Sequence, residues 1–235
     1  MQPEIAQQLL ALNKHFYAEF AVSFAQTRST PQPGFTRLLN HLPHPCLQVA
    51  DIGCGNGRFG SFLAANIDGF SYTGIDFTES FLEMADVSLQ GQFLKRDISQ
   101  PGFLEGQGQF DLCVCLATLQ HIPGRENRLA VLQEMAKHMS QNGRLFLSNW
   151  QFAHSSRQRR KILDWGAAGF HADDVEANDY LLSWQRNGQG MRYVHLVDQA
   201  EMSWLTANTS LVVIDEYRSD GREGDLNLYS VLGKR

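Results

Sequence analysis

The chain has 235 residues, a net charge of −5, 43% hydrophobic and 19% charged residues, which describes an ordinary soluble core with room for an inserted cap. No apolar run approaches the roughly 20 residues of a membrane span, the N-terminus lacks the basic-then-apolar pattern of a signal peptide, and the acidic balance argues against a generally sticky nucleic-acid binder while leaving room for a local basic patch. Cys46, Cys54, Cys113 and Cys115 show no C-x-x-C pair or metal-like spacing, so neither metal nor membrane is expected as a partner and a reducing cytoplasm is the expected setting.

Residues 4 to about 22 read as an amphipathic helix, because Ile5, Leu9, Leu12, Phe16 and Phe20 recur at helical spacing. Pro31 and Pro33 mark a loop after it. Periodicity favours a helix docked on the sheet edge. The sharper reading makes Tyr17, Phe24 and Arg28 part of a lid, and gives a helical lid over 1–34 and a main domain over 35–235. A short helix over 35–43 is stopped by Pro43 and Pro45.

From there strands and helices alternate: strand 47–52, helix 57–66, strand 71–76, helix 78–86, strands 91–95 and 110–116, helix 125–139, strand 143–149. Cys113 and Cys115 are two apart in a strand, so they share a face and belong to the core. Alternation of this kind implies an α/β fold, a doubly wound, mostly parallel sheet with ligands at the carboxyl ends of the strands. The segment of about 151–190 breaks the alternation and reads as an insertion, helical at first. Its basic run, Arg157-Gln158-Arg159-Arg160-Lys161, is either a solvated face or a phosphate site. Strands over 211–217 and 226–232 end the sheet.

The first strand runs into Asp51-Ile52-Gly53-Cys54-Gly55-Asn56-Gly57-Arg58-Phe59-Gly60. Glycines between a strand and a helix let backbone approach a ligand closely. Gly55, Gly57 and Gly60 match G-x-G-x-x-G, a weak signal alone. Asp51 sits inside the strand, and Asp76 ends the next one at about the distance where an acid grips a ribose. Asp97 and the Leu116 to His121 loop fall at further strand ends. A packing turn without ligand and a dinucleotide oxidoreductase are the alternatives. The whole run, with its two acids, resembles the first motif of the class I S-adenosylmethionine (SAM)-dependent methyltransferases. That resemblance implies a seven-stranded Rossmann-like sheet and SAM as cofactor. It implies a cofactor site made of Asp51, Gly53, Gly55, Gly57, Asp76, Phe77, Asp97, Ile98 and Leu116.

An amine or hydroxyl acceptor usually has to lose a proton, whereas a carboxylate needs mainly placement. The fourth strand lacks the Asn/Asp-Pro-Pro-aromatic motif of amino-group methyltransferases, and the only Pro-Cys pair, Pro45-Cys46, precedes the glycine turn. His121 is a base, a hydrogen-bond donor or a structural loop histidine. Asn13-Lys14-His15-Phe16-Tyr17 through Gln26-Thr27-Arg28 resembles the N-terminal signature of the Trm9/ALKBH8-type tRNA methyltransferases. Asp179 to Trp184 and Arg192-Tyr193-Val194-His195-Leu196 resemble that family's insertion. The resemblance implies methylation of a carboxylate or oxygen on a modified wobble uridine of tRNA. It implies Arg28, His121, Arg192 and His195 as catalytic candidates, and Tyr17, Trp184 and Tyr193 as substrate contacts. Eukaryotic members use a small partner subunit. A small-molecule acceptor and a non-catalytic SAM-binding partner subunit are the alternatives.

Overall fold

The structure is a computed structural model that describes residues 1–28, 30–43, 48–85, 89 and 91–235. Helices α1 (Pro3–Gln26) and α2 (Pro33–Leu38) come first, followed by β1 (Gln48–Ile52), α3 (Arg58–Ala64) and β2 (Ser71–Asp76). Then come α4 (Glu79–Glu83), β3 (Gly91–Lys95), β4 (Phe110–Leu116), α5 (Arg125–His138) and β5 (Met139–Trp150). The insertion holds α6 (Ser156–Arg159), β6 (Ile162–Leu163), β7 (Asp179–Trp184) and β8 (Gly190–His195). The chain closes with α7 (Gln199–Ala207), β9 (Leu211–Ser219) and β10 (Asn227–Lys234).

Seven strands form one sheet in the order β3-β2-β1-β4-β5-β10-β9. The first five pair parallel, and β10 lies antiparallel between β5 and β9. Side-chain alternation divides the core between the two faces. Ala50, Ile52, Cys113, Cys115, Leu145 and Leu147 meet α5 and α7 through Leu132, Met135, Met202 and Leu205. Val49, Leu112, Val114 and Phe146 meet α2 and α3 through Phe35, Leu38, Phe59 and Leu63. With both faces covered, the strands read as continuous apolar runs. Among the described residues no helix is long and apolar enough to cross a membrane.

The expected alternation is present, with shifted ends. Leu47 and Asp86, at the edges of an expected strand and helix, and Pro45 and Cys46 lie outside the described residues. Three differences matter for the site. Helix α1 does not dock on an edge strand of the large sheet; it packs chiefly on β8 and α4. The insertion is helical at first, as expected, through Phe152–His154 and α6, but the strands in the rest of it are not expected: β6, β7 and β8 form a separate antiparallel sheet in that order. β6 has only two residues, and Asp179-Tyr180-Leu181-Leu182-Ser183-Trp184 does not alternate strictly, so a period of two does not stand out. Helix α7 has no counterpart among the elements expected from the sequence.

Candidate active site

The carboxyl ends of β1, β2 and β4 open into a cavity of about 830 Å³. After Ile52 the chain turns sharply, and the Gly53 and Cys54 amides both donate to Ile75 O, at 2.7 and 3.0 Å. Gly55 and Gly57 have φ of +56° and +75°, which residues with a Cβ adopt only at a cost. A Cβ on Gly55 would meet nothing within 4 Å. Its backbone therefore faces open cavity, where a ligand can lie directly against it.

Asp76 ends β2 and ties the turn to the next loop. Its Oδ2 accepts from the Gly55 amide at 2.9 Å and its Oδ1 from the Thr78 amide at 2.8 Å. Each oxygen retains a lone pair for a ligand hydroxyl. Burial raises its pKa despite those bonds. Asp51 lies on β1 opposite Gly74 of β2 and accepts from the Tyr72 hydroxyl at 2.6 Å. Burial, with a lesser push from Asp76, drives Asp51 up to about 7 against that hydrogen bond.

Asp97 both caps a turn and faces the cavity. Its Oδ1 accepts from the Ser99 amide and hydroxyl, at 3.0 and 2.6 Å, and its Oδ2 from Lys14 Nζ at 2.6 Å. Partial burial works to raise its pKa, but the Lys14 and Ser99 bonds hold it below the ordinary value. Phe77, Ile98 and Leu116 line the same region. Just past β4, Ala117 has φ +54°, and its amide is held by Ser148 O at 2.8 Å and Ser148 Oγ at 3.0 Å. Left-handed backbone at a residue with a side chain costs on the order of 1 kcal/mol. No signal in the sequence marks this residue, although it lines the cavity.

Helix α1 lies over these groups. Asn13 pairs with β8 like a strand: the Tyr193 amide donates to its Oδ1 at 2.8 Å, and its Nδ2 donates to Tyr193 O at 3.1 Å. One turn on, Tyr17 meets His121. His121 Nδ1 is 3.2 Å from Tyr193 O, an acceptor only, so Nδ1 carries the proton. Nε2 therefore accepts from Tyr17 Oη at 2.9 Å. Burial, with the nearby Arg192 and Arg28 guanidiniums, pushes His121 down to about 3. The ring is neutral at working pH.

Two guanidiniums face this lobe. Arg192 is 6% exposed and spends one hydrogen bond, on Tyr17 Oη at 3.3 Å. The rings of Phe16, Phe24, Trp150 and Trp184 surround it at 5.3 to 5.9 Å. Half-buried Arg28 stacks on Phe24 at 3.4 Å and donates to Thr27 Oγ1 at 2.6 Å. Burial, with repulsion from Arg192, pushes Arg28 down to about 9. Among the described residues neither has a carboxylate partner. Two desolvated cations side by side are costly alone, and an anion between them removes the cost.

Three expected contacts, Gly57, Tyr193 and His195, do not line the cavity. A Cβ on Gly57 would meet Leu89 and Phe93 at 3.3 and 3.4 Å, so its open side faces packed side chains. Alternation along β8 puts Arg192 on one face and Tyr193 and His195 on the other. Tyr193 Oη donates to Asp179 Oδ1 at 2.7 Å. His195 Nδ1 meets the same oxygen at 2.6 Å, and its Nε2 makes a short contact with Glu201. Arg128, 1% exposed, joins Glu201 at 2.6 Å and Glu176 at 2.9 Å. Glu176, Asp179 and His195 lie close enough together to share an ion, but each is already paired within this cluster. The cluster ties β7 and β8 to α5 and α7. Removing one partner from a buried ion network leaves the others uncompensated. Arg128→Met is therefore expected to cost about 3–5 kcal/mol, read as a lower urea midpoint; an unchanged midpoint would show that the cluster does not fasten the insertion. Asp179 and Glu201 raise His195 although burial alone would lower it. Its contribution is complete below its unfolded value of about 6.5 and is lost as pH rises through the folded value.

Comparison with known proteins gives a consistent picture. A family model described as "Methyltransferase domain" matches residues 50–145. The chain is 29% identical over 144 residues to the tRNA (carboxymethyluridine(34)-5-O)-methyltransferase alkbh8 of Xenopus tropicalis, which covers 61% of this chain and 22% of that protein. It thus spans about a fifth to a quarter of the length of the first curated relatives it matches. A protein of Encephalitozoon cuniculi bearing a provisional methyltransferase name is 27% identical, with 93% of both chains covered. Among solved structures, a SAM-dependent methyltransferase from Methanosarcina mazei superposes with a TM-score of 0.65 at 20% identity, over 87% of this chain and 98% of that one. One from Clostridium acetobutylicum gives 0.65 at 13%, over 94% and 97%. A sheet of this order is the fold of these SAM-dependent methyltransferases, and the methyltransferase-domain match covers the strands that carry the glycine turn and its flanking Asp51 and Asp76.

Proposed function

We propose that this enzyme transfers the methyl group of SAM to a carboxylate oxygen on a modified wobble uridine of tRNA. The observation that carries this reading is the pair Arg28 and Arg192, two guanidiniums without carboxylate partners among the described residues, in a lobe lined by Trp184 and Tyr17. The printed names of the carboxymethyluridine methyltransferases among its relatives support the RNA.

The cradle fits the cofactor. Gly55 leaves its backbone open to a methionine chain, Asp76 keeps lone pairs for ribose hydroxyls, and Asp97 with Ile98 lies where an adenine edge would sit. SAM supplies a methyl group on a cationic sulfur. The chain's own residues have three tasks. Arg28 and Arg192 orient the acceptor carboxylate for in-line approach, since a guanidinium fork matches a carboxylate. Residues 1–34 act as a lid that keeps water out, so that joining opposite charges is favoured over keeping them apart. His121, neutral and already bonded to Tyr17, positions that phenol and takes no proton. A carboxylate is an anion beforehand and needs no base.

Asp51 gives the site a pH dependence. An ammonium group beside it favours its ionised form, so SAM binding below about pH 7 must release a proton. Affinity is therefore expected to weaken as pH falls from 7.5 to 6, approaching on the order of tenfold per unit. Calorimetry in two buffers of different ionisation enthalpy measures the release, and a pH-independent affinity would separate Asp51 from the cofactor.

Enclosure by α1 favours a second reading, a small carboxylic acid as acceptor. Incubation with methyl-labelled SAM and either tRNA whose wobble uridine carries the unmethylated carboxyl or a panel of small acids decides between them. Label is expected in tRNA; label confined to small acids would overturn the RNA reading.

A further inference from the structure

The basic run of the insertion has no role in the reading above. Arg157 and Lys161 nevertheless line the mouth of the cavity, as does Arg186 from the β7–β8 turn. None of the three has a carboxylate partner among the described residues. Their supports are fixed. Lys161 O accepts from the Ser183 amide at 2.8 Å and from its hydroxyl at 3.2 Å, which anchors the end of the α6 segment to β7. Arg186 O accepts from Trp184 Nε1 at 2.7 Å, which holds the indole beside the turn. Burial, together with Arg192, Arg157 and Arg28, lowers the Lys161 pKa, the mark of crowded cations lacking an anion.

A second observation points to a ligand here. Gln158 lies between Arg157 and Lys161 and lines the same cavity. Its side-chain oxygen is buried and has no hydrogen-bond partner among the described residues. Leaving a buried acceptor unpaired is unfavourable, so a donor is expected to complete it. Cations that track a backbone and a flat ring to stack on form the set that holds single-stranded nucleic acid.

We propose that this rim binds the phosphodiester backbone of a single-stranded RNA loop, with Arg157 and Lys161 on the phosphates flanking the acceptor nucleotide. The proposal rests on the RNA reading above but not on the carboxylate. A chain with net charge −5 thereby carries a local cationic track at the opening where RNA has to arrive. The exposed Arg159 and Arg160, on the same segment, do not line the cavity.

The test is the salt dependence of binding, measured by fluorescence anisotropy with a labelled RNA anticodon stem-loop carrying a wobble uridine. Each phosphate contact in a single strand contributes about 0.7 to the slope of log affinity against log salt. The double variant R157Q/K161Q is expected to flatten that slope by about 1.4, with S-adenosylhomocysteine affinity retained as proof of an intact fold. R159Q/R160Q, which removes the same charge from outside the cavity, is expected to change it far less. An unchanged slope in R157Q/K161Q, an equal loss in both double variants, or no RNA binding by the unaltered protein would each overturn the proposal. Failure of the carboxylate reading would look different. RNA would bind with the full slope and the rim variants would flatten it, while the transferred methyl would prove stable to alkali.

Discussion

Replacing Arg192 by methionine should cut methyl transfer by about a hundredfold or more, the usual range for losing a charge-complementary donor at a reacting group. SAM affinity should change little. Folding stability should hold or rise, and this separates a binding role from a structural one. Arg192 is buried among four aromatic rings and makes one hydrogen bond, to Tyr17. A packing arginine would be missed on removal. A buried cation awaiting an anion would not be, because methionine keeps the volume and removes an uncompensated charge. Lost activity with an unchanged or higher melting temperature fits the acceptor clamp. Full activity with a lower melting temperature would make Arg192 structural. Arg192→Lys should recover little, since an ammonium cannot form the two parallel bonds of a guanidinium.

The other large effect is expected at Asp76. Asp76→Ala should weaken SAM binding by about 30-fold, on the order of 2 kcal/mol for losing charge-assisted bonds to two hydroxyls. Part of that loss is indirect, because the carboxylate also holds the Gly55 and Thr78 amides. Asp76→Asn keeps one acceptor oxygen and should fall between the two. Titration with S-adenosylhomocysteine reads all three proteins. Equal affinity in wild type and Asp76→Ala would take Asp76 out of the cofactor site, and the glycine cradle would lose its ribose contact.

The proposed cofactor half of the site can be read from the sequence because its residues follow a local rule. Asp51, Gly55 and Gly57 belong to one strand and turn, and Asp76 and Asp97 end neighbouring strands, so parallel topology alone brings them together. The acceptor half depends on contacts between distant segments. Arg28 and Arg192 come together because α1 packs on β8, where Asn13 fastens it. In the sequence, Arg192-Tyr193-Val194-His195 reads as one functional unit. As a strand it must alternate, and its tyrosine and histidine turn into the buried cluster around Arg128. That cluster and the strained Ala117 leave no local trace, since neither composition nor spacing reports which residues a fold will bury together. The basic run on the insertion is plain in the sequence, yet only the fold distinguishes Arg157 and Lys161 at the cavity from Arg159 and Arg160 outside it.

The central claim is that the acceptor atom is a carboxylate oxygen. The most direct measurement is the alkali stability of the product. Methyl-labelled SAM is incubated with the protein and tRNA that carries the unmethylated carboxyl, and the recovered tRNA is treated with mild alkali. A methyl ester hydrolyses under these conditions, so label should leave the nucleosides as methanol. Label that stays on the nucleosides would mean methylation at nitrogen, carbon or a hydroxyl, and would contradict the carboxylate assignment of Arg28 and Arg192.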